Sequence, residues 1–248
     1  MGIKDFLDNQ REKKEERRIE RLTRRLCERY SQSGERLAAA EELAAHDTPA
    51  AIYGLLQRFN VQTPQIIEDE EEKKFVYDRI RATGEAAIGP LLRHINEREN
   101  LAFPLRLLKE IAGAERTRDI LLEILSDFTP EYDRVPEKKI DIIQALGEYK
   151  DPQIIQVLLP FLNDPQDDVV LAAIDTLAGH PESEDEIRVA FIELLLDEEE
   201  KPRVKRHVLE ILKDLRWRVA GYRKRVEEVI TDPYYLDKKG YIKQQGEV

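Results

Sequence analysis

A nine-residue stretch recurs in this chain at a fixed distance, and that recurrence restricts the fold more than any other feature. Residues 169–177, Val-Val-Leu-Ala-Ala-Ile-Asp-Thr-Leu, align with residues 204–212, Val-Lys-Arg-His-Val-Leu-Glu-Ile-Leu, at a shift of 35. Leu108 and Ile111 fall on Ile143 and Leu146 at the same shift. Between these lie short apolar segments of a second kind, IGPLLRHI at 88–95, ILLEILSDF at 120–128, IIQVLLPFLND at 154–164 and IRVAFIELLLD at 187–197. Apolar residues three and four apart mark helices with one buried stripe. A unit of two such helices cannot bury its own apolar face, so copies must stack on one another.

The spacing predicts helix pairs at 36–59, 65–97, 101–128, 137–164, 167–197 and 202–230. Breaks within pairs fall at Thr48-Pro49, Gly84, Gly113-Ala114, Asp151-Pro152 and His180-Pro181. Glycine suits the residue that ends a helix, and proline suits the first turn of the next. Asp47, Asp151 and Asp164 flank such starts, where a carboxylate can cap free amides. Leu177 and Leu212 occupy core positions of the register. The composition agrees: only 11 glycines are present, too few for a turn-rich β protein. Charged residues make up 37%, which suits narrow apolar stripes and wide polar faces.

A 35-residue helix pair whose first helix opens with Asp-x-x-Val-x-x-Ala-x-x-x-Leu resembles HEAT repeats. Here Asp164 or Asp167 leads into Val169–Leu177. The family usually has Arg directly after the Val; this chain has Val170 there and Lys205 in the next repeat, so the Asp–Arg ladder between repeats is incomplete. The resemblance covers about residues 36–230. It implies an all-α fold, a right-handed α-α superhelix of about six helix pairs. It also implies a concave surface, lined by second helices, that holds a protein partner. Residues 1–35 are expected to form a charged N-terminal cap and residues 231–248 a tail folded back on the last repeat.

Both ends carry a second reading. Ile19, Leu22, Leu26 and Tyr30 form a narrow stripe that either caps the first repeat or docks elsewhere. The tail, with Tyr234, Tyr235, Leu236, Tyr241 and Ile242, either covers the last pair or binds a partner. From Lys201 to Arg225 stand ten Lys+Arg against Glu210 and Asp214, with Trp217 and Tyr222 among them. The preceding residues 182–200 hold nine acids and only Arg188. The two runs are expected to face each other and partly neutralise. The basic run alternatively binds an acidic protein surface or nucleic acid, since cations interleaved with rings can hold phosphate and stack bases. The overall charge of −11 disfavours generic nucleic-acid binding. The acidic run Glu68–Glu72 opens a helix, where negative charge is favourable, and its carboxylates diverge too much for a calcium loop.

No catalytic constellation is present. His46, His94, His180 and His207 lie in different repeats, and none forms the His-Glu pairs of HEAT-type deoxyhypusine hydroxylases. There is no HExxH helix, phosphate-binding glycine loop or GxSxG elbow. HEAT-like alkylpurine DNA glycosylases use a basic concave face bearing Trp and Asp, whereas here the body is acidic and the one Trp is near the end. HEAT-like phycobilin lyases offer no short signature to compare. The expectation is a non-catalytic scaffold without a cofactor. Alternatives are a nucleic-acid-associated accessory protein, or an accessory subunit or lyase-like enzyme. Candidate contacts on second helices are Arg58, Arg93, His94, Arg118, Gln153, Gln156 and Arg188. Those of the basic end are Arg203, Arg206, Arg216, Trp217 and Arg223. Cys27 alone cannot form an intrachain disulfide, and no apolar run reaches membrane-spanning length, so a cytoplasmic protein is expected.

Overall fold

The repeat spacing turns into helices at every expected place. The structure, a computed structural model, describes residues 3–199 and 201–246. Met1, Gly2, Glu200, Glu247 and Val248 lie outside the described residues, and with them the end of the acidic run. The pairs are α2 (Ser33–His46) with α3 (Pro49–Leu56), α4 (Ile66–Thr83) with α5 (Ile88–Glu97), and α6 (Ala102–Ala112) with α7 (Ala114–Ser126). Next come α8 (Glu137–Leu146) with α9 (Pro152–Leu158), α10 (Asp167–Ala178) with α11 (Glu184–Leu196), and α12 (Pro202–Asp214) with α13 (Arg223–Val229). Helix α1 (Ile3–Leu26) precedes them, and a two-stranded hairpin follows, β1 (Tyr234–Leu236) and β2 (Ile242–Gln244). Among the described residues the protein is all-α apart from that hairpin.

The breaks work as their chemistry requires. Thr48 accepts a hydrogen bond from the Ala51 amide at 3.2 Å, and Asp151 one from the Gln153 amide at 2.9 Å, each directly before a proline-led helix. Gly84 and Gly113 end their helices at φ of 61° and 81°, where a Cβ would be strained.

Two compact units divide the chain, residues 1–117 and 118–248, with the boundary inside α7. In the first, α2, α4 and α6 pack as successive first helices, and α3 packs on α5. Helix α1 lies against α2 and α3, burying Ile19, Leu22 and Leu26. Tyr30, expected on that stripe, is exposed because α1 ends at Leu26 and the chain turns away. Cys27 follows the buried end of the helix, and burial pushes its thiol up to about 11, against the opposing pull of Arg58 and Arg98. It is protonated and unreactive at neutral pH.

In the second unit α8, α10 and α12 stack, with α11 packed on α12 and α13. Leu177 and Leu212 are fully buried. Bases at the start and along α12 reach carboxylates of α10, the preceding first helix. Arg203 pairs with Asp168 at 2.7 Å, His207 with Asp175 at 2.6 Å, and Lys201 with Asp167, all on α10. Stacking sets first helix beside first helix, so charge is matched across one repeat.

The hairpin lies on α12. Tyr234 and Ile242 are buried, the Tyr234 hydroxyl donates to Glu210 at 3.0 Å, and Lys213 donates to Gln244 at 3.1 Å. Burying each of these two side chains stabilises by about 1.5–3 kcal/mol. Deleting residues 232–248 is therefore expected to lower the melting temperature of the second unit, read by Trp217 fluorescence. An unchanged transition would show that the hairpin contributes nothing.

Candidate functional site

The second helices of the second unit carry the candidate surface. Its residues come from α7, α9 and α11, whose buried sides hold Leu121, Leu125, Ile154, Leu158, Phe191 and Leu195. The turn-by-turn geometry leaves Gln153 and Gln156 exposed and Arg118 half-buried, while the Arg188 side chain is largely enclosed, 14% exposed. The structure links three of them, Arg118, Gln156 and Arg188, to a neighbouring repeat. Arg118 reaches Asp151 at 3.1 Å, the carboxylate that caps α9. Gln156 donates to Glu186 on α11 at 2.9 Å. Arg188 donates to the Arg218 carbonyl at 2.9 Å and to Asp185 at 2.6 Å. Between α9 and α11 opens a shallow cleft of about 360 Å³ lined by Leu122, Pro152, Gln153, Ile155, Gln156, Val157, Ser183 and Glu186. Its floor is apolar, and Gln153 and Gln156 stand exposed at its edge.

In the first unit Arg93 is exposed and lies 4.1 Å over the Tyr53 ring, while its Nε donates to Glu97 at 2.9 Å. Tyr53 also donates to Glu97. These residues border a groove of about 780 Å³ that includes Arg24, Gln57 and Arg98.

Three expected contact residues are buried and cannot touch a partner. Arg58 is wholly enclosed, donating to Asp69 at 2.7 Å and to Glu72 at 3.0 Å. The 3₁₀ turn after α3, Gln57–Asn60, rotates it inward, off the face that helical periodicity assigned to it. Trp217 packs beside Phe191 at 6.2 Å between ring centres and is 4% exposed. His94 is fully buried, and neither ring nitrogen has a hydrogen-bond partner.

Burial pushes the His94 imidazole down to about 4, with Arg98 adding to the effect and Glu97 opposing it. An ordinary histidine titrates near 6.5. The unfolded chain thus binds a proton between pH 6.5 and 4 that the folded chain refuses. Stability is expected to fall by about 3 kcal/mol as pH drops through that window. Urea unfolding at pH 7.0 and 4.5 measures it, and His94→Leu should flatten this part of the dependence. An equal slope in both proteins would contradict it.

Of the basic end, Arg203 and Arg223 are in ion pairs, with Asp168 at 2.7 Å and Glu227 at 2.8 Å. Arg206 and Arg216 are exposed. Sequence reasoning missed Asp151 and Glu186, the acids that pair with the expected Arg and Gln. Asp151 was legible only as a cap. Among the described residues no group of three or more His, Cys, Asp and Glu is placed to hold a metal ion, and no helix is long and apolar enough to cross a membrane.

Comparison with known protein families matches residues 118–213 to HEAT repeats. No curated protein and no solved structure matches the chain.

Proposed function

We propose that the chain, whose residues 118–213 match HEAT repeats, is a non-catalytic scaffold that binds a protein segment along α7, α9 and α11. The observation that carries the reading is the cleft between α9 and α11, with its apolar floor and exposed amides. Pro152, exposed, and Val157, half-buried, suit apolar side chains of a partner. Gln153 and Gln156 can each donate to and accept from a partner's main chain. Ion pairs and hydrogen bonds between repeats hold the second helices in register, so the surface is formed before binding and little ordering is required. A single cysteine, which can form no intrachain disulfide, fits a reducing, cytoplasmic setting.

The nucleic-acid reading loses its stacking residue with Trp217 buried, and Arg203 and Arg223 already neutralise Asp168 and Glu227. Filling the cleft tests the scaffold reading. Quantitative affinity capture with Gln153→Trp is expected to lose partners that wild type and Gln144→Trp, on exposed α8 surface, both retain. The same captured set with all three proteins would end the proposal.

A further inference from the structure

The C-terminal hairpin is wider than two strands. Arg218 forms an antiparallel bridge with Tyr241, and the Val219 amide donates to the Gly240 carbonyl at 3.0 Å. The segment after α12 thus lies beside β2 as a third strip. Alternation divides its side chains cleanly. Trp217, Val219, Ile242 and Tyr234 are buried, whereas Arg218, Lys243 and Tyr235 are exposed and Tyr241 is half-buried. Tyr235 stands opposite Lys243 in the register and is 45% exposed.

This face is held rigidly by main-chain anchors. Arg218 Nε donates to the Lys239 carbonyl at 3.1 Å, and Arg223 to the Lys238 carbonyl at 3.2 Å. Arg188 holds the Arg218 carbonyl from α11 at 2.9 Å. At the rim Arg216 is exposed with φ of 55°, a conformation that costs a side-chain-bearing residue energy.

We propose that this outer face, Arg216, Arg218, Lys239, Tyr241, Lys243 and Tyr235, is a docking surface for an acidic segment of a protein partner. It is separate from the α9–α11 cleft and does not depend on it. Arg and Tyr are the residues that most often anchor protein interfaces. The cations answer carboxylates, and Tyr235 supplies an apolar contact. A nucleic-acid strand fits less well. The Tyr241 ring lies under the Arg218 guanidinium at 5.8 Å and Trp217 is buried, so successive bases find no row of open rings. The net charge of −11 repels a polyanion as it approaches. Discrete acidic side chains meet that field with fewer charges.

The test uses the full chain, a fluorescein-labelled peptide of four Glu-Asp-Leu repeats, and a labelled 20-mer of oligouridine, all by fluorescence anisotropy at low salt. The peptide is expected to bind, and to bind more tightly than the oligonucleotide. Lys239→Glu with Lys243→Glu should weaken it by at least about fivefold with the melting temperature unchanged. Arg216→Gly should also weaken it while the fold keeps or gains stability, because glycine accepts that φ. Gln153→Trp should bind the peptide as wild type does. No peptide binding, tighter binding of oligouridine, full binding by the charge-reversed protein, or loss of binding in Gln153→Trp would each overturn the proposal.

Discussion

Replacing Glu72 with alanine is expected to cost the first unit about 3–5 kcal/mol. Glu72 sits on α4 with its side chain 1% exposed, between two arginines that are themselves enclosed. Arg36 of α2 donates to it twice, at 2.8 Å each, and Arg58 donates at 3.1 and 3.0 Å. Ser33 adds a bond at 2.6 Å. Asp69, one turn earlier, takes Arg58 at 2.7 Å, Lys73 at 2.6 Å and the Thr63 amide at 2.9 Å. Removing Glu72 strands Arg36 without a carboxylate and leaves Arg58 half-matched. An uncompensated buried charge is far more costly than a lost surface pair, which contributes about 0–1 kcal/mol.

The same cluster sets an acid response. Burial alone would raise both carboxyls. At Glu72 the bonds from Arg36, Ser33 and Arg58 outweigh it, and at Asp69 those from Lys73, Arg58 and Thr63 do, so both are held below the ordinary carboxylate range. Their contribution is fully present above the unfolded value near 4 and is lost as pH falls through the folded ones. The His94 loss begins higher, from pH 6.5, so the first unit should weaken in two stages. Chemical unfolding followed by circular dichroism measures the Glu72→Ala effect at pH 7. A change under about 1 kcal/mol would show that water reaches the cluster.

Replacing Lys139 with methionine is expected to have a comparable effect, about 3–5 kcal/mol, on the second unit. Lys139 of α8 and Asp164 before α10 are 1% and 0% exposed and meet at 2.8 Å. The ammonium also donates to the carbonyls of Thr129 at 3.2 Å and Glu131 at 3.0 Å, in the loop that enters α8. Methionine fills the same space but leaves the Asp164 carboxylate unmatched. Adding Asp164→Leu should return part of the loss, because a pair removed together leaves no lone charge. Trp217 fluorescence reports the transition of this unit. Additive losses would contradict a coupled pair.

Lys139 and Arg36 are the same device. Arg36 donates to the Ser31 carbonyl and, at 3.5 Å, to that of Glu28, in the loop that enters α2. Each cation stands near the start of a first helix, ties down the incoming loop and meets a carboxylate of the following repeat. The residues three, four and seven later are apolar in both, Ala39, Ala40 and Leu43, and Ile142, Ile143 and Leu146. A charge at a stripe position was the signal in the sequence. The inter-repeat ladder found incomplete at Val170 and Lys205 is therefore made elsewhere, at Arg36 and Lys139.

The helix pairs were readable because their causes are local: apolar spacing, proline-led starts and glycine stops. What was not readable depends on contacts distant in sequence. The acidic run was read as favourable charge at a helix start, and Glu68 and Asp69 do lie in the first turn of α4. That Asp69 and Glu72 turn inward depends on Arg58 and Arg36, 11 and 36 residues away. His94, Arg58 and Trp217 were placed on the surface for their polar or ring chemistry, but tertiary packing encloses them. The tail tyrosines showed that the C-terminus needed cover. Strands of three residues leave too little pattern to be read as a sheet, and they persist here because α12 lies beneath them.

Site-specific photocrosslinking tests most directly whether the second-helix surface binds a protein. The benzophenone amino acid p-benzoylphenylalanine is placed at Gln153 on α9 or at Gln144 on α8, both exposed, in cells producing the full chain. The expected result is a discrete higher-mass adduct from position 153 that position 144 does not give. Adducts from 144 alone, or none from 153, would contradict a scaffold that works through α7, α9 and α11.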